Sequence, residues 1–293
     1  MCTFANLHPV AAAVYFLSVL AVTMFSSNPM LSLAALLGGV LFYIKLQSKS
    51  LSIKSLLMNI VLFVLVALTN PLFSHKGATV LFFLNGSPVT LEAVLYGINI
   101  AVVLLAVVYW FRCFNVIMTS DKLLFLFGKM SPKIALMISS ALRFIPLFKE
   151  QAAKIKQSQR AMGIYASDSW IDRLKGVLRV YSALITWALE NAVDTGSSMK
   201  ARGYGLKGRT YYSLYRFGLT DAAFIGVTAV TDVFMIISSV TGNMRFSFYP
   251  LLSTGNYNVF GISAIAVFSV LSLLPCLAEV GGDILWKYCK SKI

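Results

Sequence analysis

Charge is what this 293-residue chain has least of. Only 12% of its residues are Asp, Glu, Lys or Arg, about half the usual share of a soluble domain. Apolar residues make up 58%, and the mean hydropathy is +0.78. That balance excludes a disordered chain and a soluble globular enzyme, and it leaves an all-α polytopic membrane protein. Histidine is nearly missing: His8 and His75 stand too far apart for a metal motif. The four cysteines, Cys2, Cys113, Cys276 and Cys289, form no CxxC pair, so neither a zinc site nor a disulfide framework is expected and they read as small apolar residues. No GxxxxGK[ST], GxSxG or HExxH occurs. The basic, glycine-rich run Gly203 to Thr210 lacks phosphate-loop spacing and follows no strand. No enzymatic activity, cofactor or metal site is therefore expected of the chain itself.

Acidic residues are also scarce, 11 against 25 Lys and Arg. With no nucleic-acid-binding module in sight, a nucleic-acid partner is not expected, and the basic excess points to membrane topology. Apolar runs cover 10–25, 30–46, 56–72, 91–111, 217–240 and 259–278. The first three are short for a span of about 20 residues. The fourth ends in Tyr109-Trp110, which suits a headgroup-level aromatic belt. Six spans with both termini inside place Lys45, Lys49, Lys54, the segment 112–216 and the tail lysines Lys287, Lys290 and Lys292 on the cytoplasmic side, and only Lys76 and Arg245 outside. The segment 112–216 alone holds 17 of the 25 basic residues. Between spans three and four, Asn85-Gly86 is a turn signal for a small hairpin. The expected organisation is helices 1–4 in 1–111, a cytoplasmic domain in 112–216, and helices 5–6 with a tail in 217–293.

That central segment is too long to be an idle loop. Ser131-Pro132 starts one helix, with an apolar stripe at Ile134, Ile138, Ala141, Ile145, Phe148, Ala152 and Ile155. Ser169-Trp170 starts another, with a stripe at Ile171, Leu174, Leu178, Tyr181, Ile185, Ala188 and Ala192. Both stripes step by 3 and 4, the pattern of helices that cross and pack. Pro146 should kink the first helix, and a shorter helix should cover Asp121 to Phe127. The stretch 134–148 is not a span, because Arg143 interrupts it and one more span would invert the topology behind it.

The two long helices close alike, in Ala161-Met162-Gly163 and Ala201-Arg202-Gly203. A glycine there suits a helix C-terminus, and small neighbours let a protruding side chain approach another protein. Arg202 so placed can bond a carboxylate in bidentate fashion; a solvated or snorkelling arginine is the other reading.

The run Ala201-Arg202-Gly203-Tyr204-Gly205-Leu206-Lys207-Gly208-Arg209-Thr210 resembles the signature of the transmembrane T component, EcfT, of energy-coupling factor transporters. Ala161-Met162-Gly163, 40 residues earlier, matches the place of that family's first Ala-Arg-Gly motif. The resemblance implies two long coupling helices crossing like an X in a prokaryotic plasma-membrane importer of vitamins or metal ions. It implies docking of the motif ends (Ala161, Met162, Gly163 and Ala201, Arg202, Gly203) on two ABC-type ATPase subunits that hydrolyse the ATP. It also implies a substrate-binding S component held by other surfaces. Met162 departs from the family's arginine and points to an apolar contact at the first site.

Asp232, in the middle of the fifth span, carries the rival reading of an ion-coupled secondary transporter. No inverted repeat or pair of broken helices accompanies it, and a packing role, bonded to a neighbour's Ser or Thr, is the alternative. Glu92 and Glu279 fall near span ends, where their carboxylates are expected to reach water.

Overall fold

The structure is a computed structural model, and it describes every residue except 1–3, 5, 6, 48–52, 75, 85, 86, 164–169, 207–214, 245, 251, 255–257, 292 and 293. His75, Lys49, the Asn85-Gly86 turn, Arg245, Ser169 and the run from Lys207 therefore lie outside the described residues. The chain divides into two compact units, Met1–Leu123 with Tyr215–Ile293, and Leu124–Leu214.

The first unit contains α1 (Pro9–Phe25), α2 (Pro29–Leu46), α3 (Ile53–Phe73), α4 (Leu91–Ile117), α8 (Leu219–Val240) and α9 (Val259–Ser291). Five of these, α2, α3, α4, α8 and the 259–282 part of α9, are long and apolar enough to cross a membrane. The sixth, α1, is apolar but has 17 residues. The chain is an all-α polytopic membrane protein. Proline opens α1 and α2, preceded by His8 and Asn28, whose side chains accept the N–H of Val10 and Met30. The helix α4 continues past Phe111 to Ile117. A hairpin of β1 (Val80–Leu84) and β2 (Ser87–Thr90) precedes α4, and β3 (Phe246–Ser247) pairs with β4 (Ser253–Thr254) before α9.

Because lipid is as apolar as the interior, close packing and hydrogen bonds hold such a bundle. Both are present. Trp110 of α4 is fully buried and donates its indole N–H to the Ala35 carbonyl of α2 at 2.9 Å. The Tyr15 hydroxyl of α1 donates to the Leu271 carbonyl of α9 at 2.9 Å. Phe4, Tyr15, Phe16, Phe42 and Trp110 meet edge to face around them. Gly38 lets α2 approach α9: a Cβ there would fall 2.7 Å from the Ser272 carbonyl oxygen.

The carboxylates near span ends do not reach water as expected. Glu92 is 1% exposed and accepts the Thr79 N–H; Glu279 is 5% exposed and accepts the Phe4 N–H at 3.0 Å. Asp221, in the first turn of α8, accepts the His8 N–H and the Gly218 N–H, each at 2.9 Å. These carboxylates close backbone donors that a span end would otherwise leave open. Asp232 accepts the Ser18 hydroxyl of α1 at 2.5 Å, the packing arrangement rather than an isolated charge.

The second unit contains α6 (Pro132–Ala161) and α7 (Trp170–Ala201), with most of α5 (Ser120–Met130). Ser131 precedes α6 but makes no side-chain cap. The helix continues through Pro146 over 30 residues.

Candidate functional site at the ends of the long helices

The helices α6 and α7 run antiparallel where they meet. Phe148 packs edge to face on Trp187 with ring centres 5.7 Å apart. The C-terminal part of α7, from Asn191 to Arg202, lines a groove of about 920 Å³ with Leu136, Ser140 and Arg143 of α6. Trp187, Asn191, Thr195 and Met199 of α7 take part in this contact or line its groove, all partly covered. Trp187 and Asn191 stand one residue before the expected Ala188 and Ala192, whereas Met199 lies where the phase of the expected stripe continues. Ile171, Leu174, Leu178, Tyr181 and Ile185 stay exposed on α7, as do Ile134 and Ile145 on α6. The 3–4 stepping identified amphipathic helices: on α6 the expected stripe reaches the contact through Phe148, while on α7 the ring contact falls to Trp187, one residue off the stripe. Trp187, off the expected stripe, is the residue that sequence reasoning missed; its size was the available signal.

Both motif ends are helix caps of one design. At the second, the Arg202 N–H donates to the Ser198 carbonyl at 3.1 Å, the Gly203 N–H to Lys200 at 3.0 Å and the Tyr204 N–H to Met199 at 3.0 Å. Gly203 has φ +77. These bonds form a Schellman motif, in which the left-handed residue turns the chain back over the last carbonyls. At the first end, the Met162 N–H donates to Ser158 at 3.1 Å and the Gly163 N–H to Arg160 at 3.0 Å, with Gly163 at φ +74. The glycines are there because a side chain resists that backbone. A Cβ on Gly163 would touch nothing within 4 Å, so conformation and not space demands glycine.

Met162 and Arg202 are thus equivalent cap residues, each between an exposed alanine and a left-handed glycine. Met162 is 68% exposed. Arg202 is exposed, and its guanidinium has no hydrogen bond or ion pair among the described residues. Since Arg202 borders the groove beside residues 136–143 of α6, Met162 stands at least 19 residues further along, roughly 28 Å or more at 1.5 Å per residue. The two ends stand well apart along α6. Among the described residues, no group of three or more His, Cys, Asp or Glu could hold a metal ion.

The sequence profile of a family described as cobalt transport protein, CbiQ, matches residues 5–212. An energy-coupling factor transporter transmembrane protein, EcfT, from Brevibacillus brevis is 30% identical over 235 residues, 76% of this chain and 87% of that protein. Proteins of the same name from Listeria innocua and Lactobacillus helveticus are 38% identical over 100 residues and 37% identical over 91 residues. Those two alignments cover 33% and 30% of this chain, and 38% and 33% of the relatives' own length.

Proposed function

The chain belongs to the cobalt transport protein family, CbiQ, and from that premise we propose that it is the transmembrane T component of an energy-coupling factor importer. Relatives that carry the name EcfT support this reading. In it, the ends of α6 and α7 dock on two ABC-type ATPase subunits, and the uncovered apolar sides of these helices meet a substrate-binding S component that carries a vitamin or metal ion. The segment 112–216 is the cytoplasmic coupling domain, and both termini lie on that side of a prokaryotic plasma membrane.

The observation that carries the proposal is the pair of matching caps. Each ends a helix of 30 or more residues and each presents one exposed, unengaged side chain beyond it. The ends differ in chemistry. Arg202 suits a groove with a carboxylate, where a charge-assisted bond contributes about 1.5–3 kcal/mol. Met162 suits an apolar groove, which its flexible thioether fills adaptively. ATP chemistry belongs to the partners, and the T component transmits their motion. Affinity purification from the native membrane tests this: two ATPase subunits and a small membrane subunit should co-purify, and the isolated chain should not hydrolyse ATP. Recovery of the chain without any ATPase, under conditions that preserve related complexes, would oppose the proposal.

A further inference from the structure

Arg112 lies near the end of α4, in a cradle built by three helices. One guanidinium N–H donates to Ser55 Oγ of α3 at 3.0 Å, another to Asn59 Oδ1 at 3.1 Å. The rings of Tyr43 on α2 and Tyr109 on α4 each lie 5.7 Å from its central carbon. Asn59 is buried and is itself fixed by donating Nδ2 to the Tyr109 hydroxyl at 2.8 Å. Every one of these partners is neutral. Among the described residues no acidic side chain pairs with Arg112.

An arginine keeps its charge in a protein, and a partly covered charge needs a counter-ion. Here the fold holds a guanidinium with four neutral side chains without providing one. Two of its five N–H groups are engaged, which leaves donors for an anion that approaches from outside. The depth of the site indicates where such an anion would come from. Arg112 is 21 residues past Leu91, about 32 Å along the helix, close to the ~30 Å thickness of a hydrocarbon core. Ser55 is near the start of α3 and Tyr43 near the end of α2, so all three helices place the cradle at one headgroup level. Lys45 and Lys54 stand at the same helix ends. The adjoining outer side of α3 is exposed and apolar at Leu56, Leu57 and Met58, as acyl chains would require.

We propose that Arg112 is the phosphate-binding residue of a site for an anionic phospholipid, with Ser55, Asn59, Tyr43 and Tyr109 holding its guanidinium in place. The ligand is a phosphodiester whose charge no ammonium of its own headgroup cancels. Planar, forked guanidinium groups bind phosphate oxygens in pairs, and basic pockets between spanning helices bind such headgroups. This does not depend on the transport reading, since it needs only a membrane.

The test uses the full chain with its co-purifying subunits in detergent, probed by native mass spectrometry and thermal unfolding. The additions are dioctanoyl phosphatidylglycerol, dioctanoyl phosphatidylcholine, dioctanoylglycerol and inorganic phosphate. Phosphatidylglycerol should bind best and raise the unfolding temperature, and Arg112→Gln should weaken it about tenfold. Asn59→Asp supplies an internal counter-ion while Tyr109 can still donate to the new carboxylate. It should fold and lose the phosphatidylglycerol response by a similar factor, which keeps the test decisive if Arg112→Gln does not fold. Equal responses to phosphatidylcholine or dioctanoylglycerol, an undiminished response in Asn59→Asp, or an equal effect of inorganic phosphate would each overturn the lipid site.

Discussion

The Ser18 hydroxyl of α1 donates to the Asp232 carboxylate of α8 at 2.5 Å, tying the two helices together near their middles. Hydrogen bonds of this kind between spanning helices contribute about 0.6–2 kcal/mol. Asp232→Asn keeps an acceptor for Ser18 and should lower stability by no more than about 2 kcal/mol. Uptake should remain ATP-dependent and largely intact. Transport measured in vesicles with and without an imposed proton or sodium gradient decides it: loss of uptake together with loss of a gradient dependence would restore the ion-coupled alternative.

Arg202→Glu should weaken docking at one ATPase subunit and stop uptake. It places a like charge before the carboxylate that the wild-type guanidinium would meet, which is worse than truncation. Insertion and association with the S component should persist, because the Arg202 guanidinium has no hydrogen bond or ion pair among the described residues. Met162→Glu should do less harm. Pull-down of each variant with the ATPases, alongside an uptake assay, reads both. Full docking by Arg202→Glu would return this residue to a solvated arginine at the membrane surface.

The cap glycines make a separate prediction. Gly163→Ala and Gly203→Ala should each cost about 1–2 kcal/mol at the helix end, since both sit at positive φ. The change at Gly203 also brings a Cβ to 3.0 Å from Leu206 Cδ1, an exposed side chain that can move. Hydrogen exchange should therefore show fraying of the last turn of α6 or α7, with docking weakened and the transmembrane unit as stable as wild type. Unaltered exchange in both variants would mean that the caps are not what holds Met162 and Arg202 in position.

Topology can be read with single cysteines on a cysteine-free background. An impermeant thiol reagent applied to intact cells should label position 76 and should not label positions 160 or 204. External labelling at 204 would invert the assignment of 112–216 to the cytoplasm and remove the ATPases' access to the caps.

Much of this arrangement is local and was legible in the residues. Runs of apolar side chains mark the spans because burying 20 uncharged residues in lipid needs no partner. Ser131-Pro132 and Ala161-Met162-Gly163 bound α6 closely, and Ala201-Arg202-Gly203 closes α7, because caps depend on backbone geometry within four residues. The equivalence of Met162 and Arg202 follows from the same rule. What only the tertiary structure decided is which side of each helix faces a neighbour. Both sides of α7 carry large apolar side chains, so periodicity does not tell its Trp187 side from its Tyr181 side. Nor could spacing reveal that Glu279 meets the backbone of Phe4, or that Ser55, Asn59 and Arg112 converge. Those contacts join residues more than fifty positions apart, and they exist because a buried polar group in lipid must find its partner wherever the fold brings one.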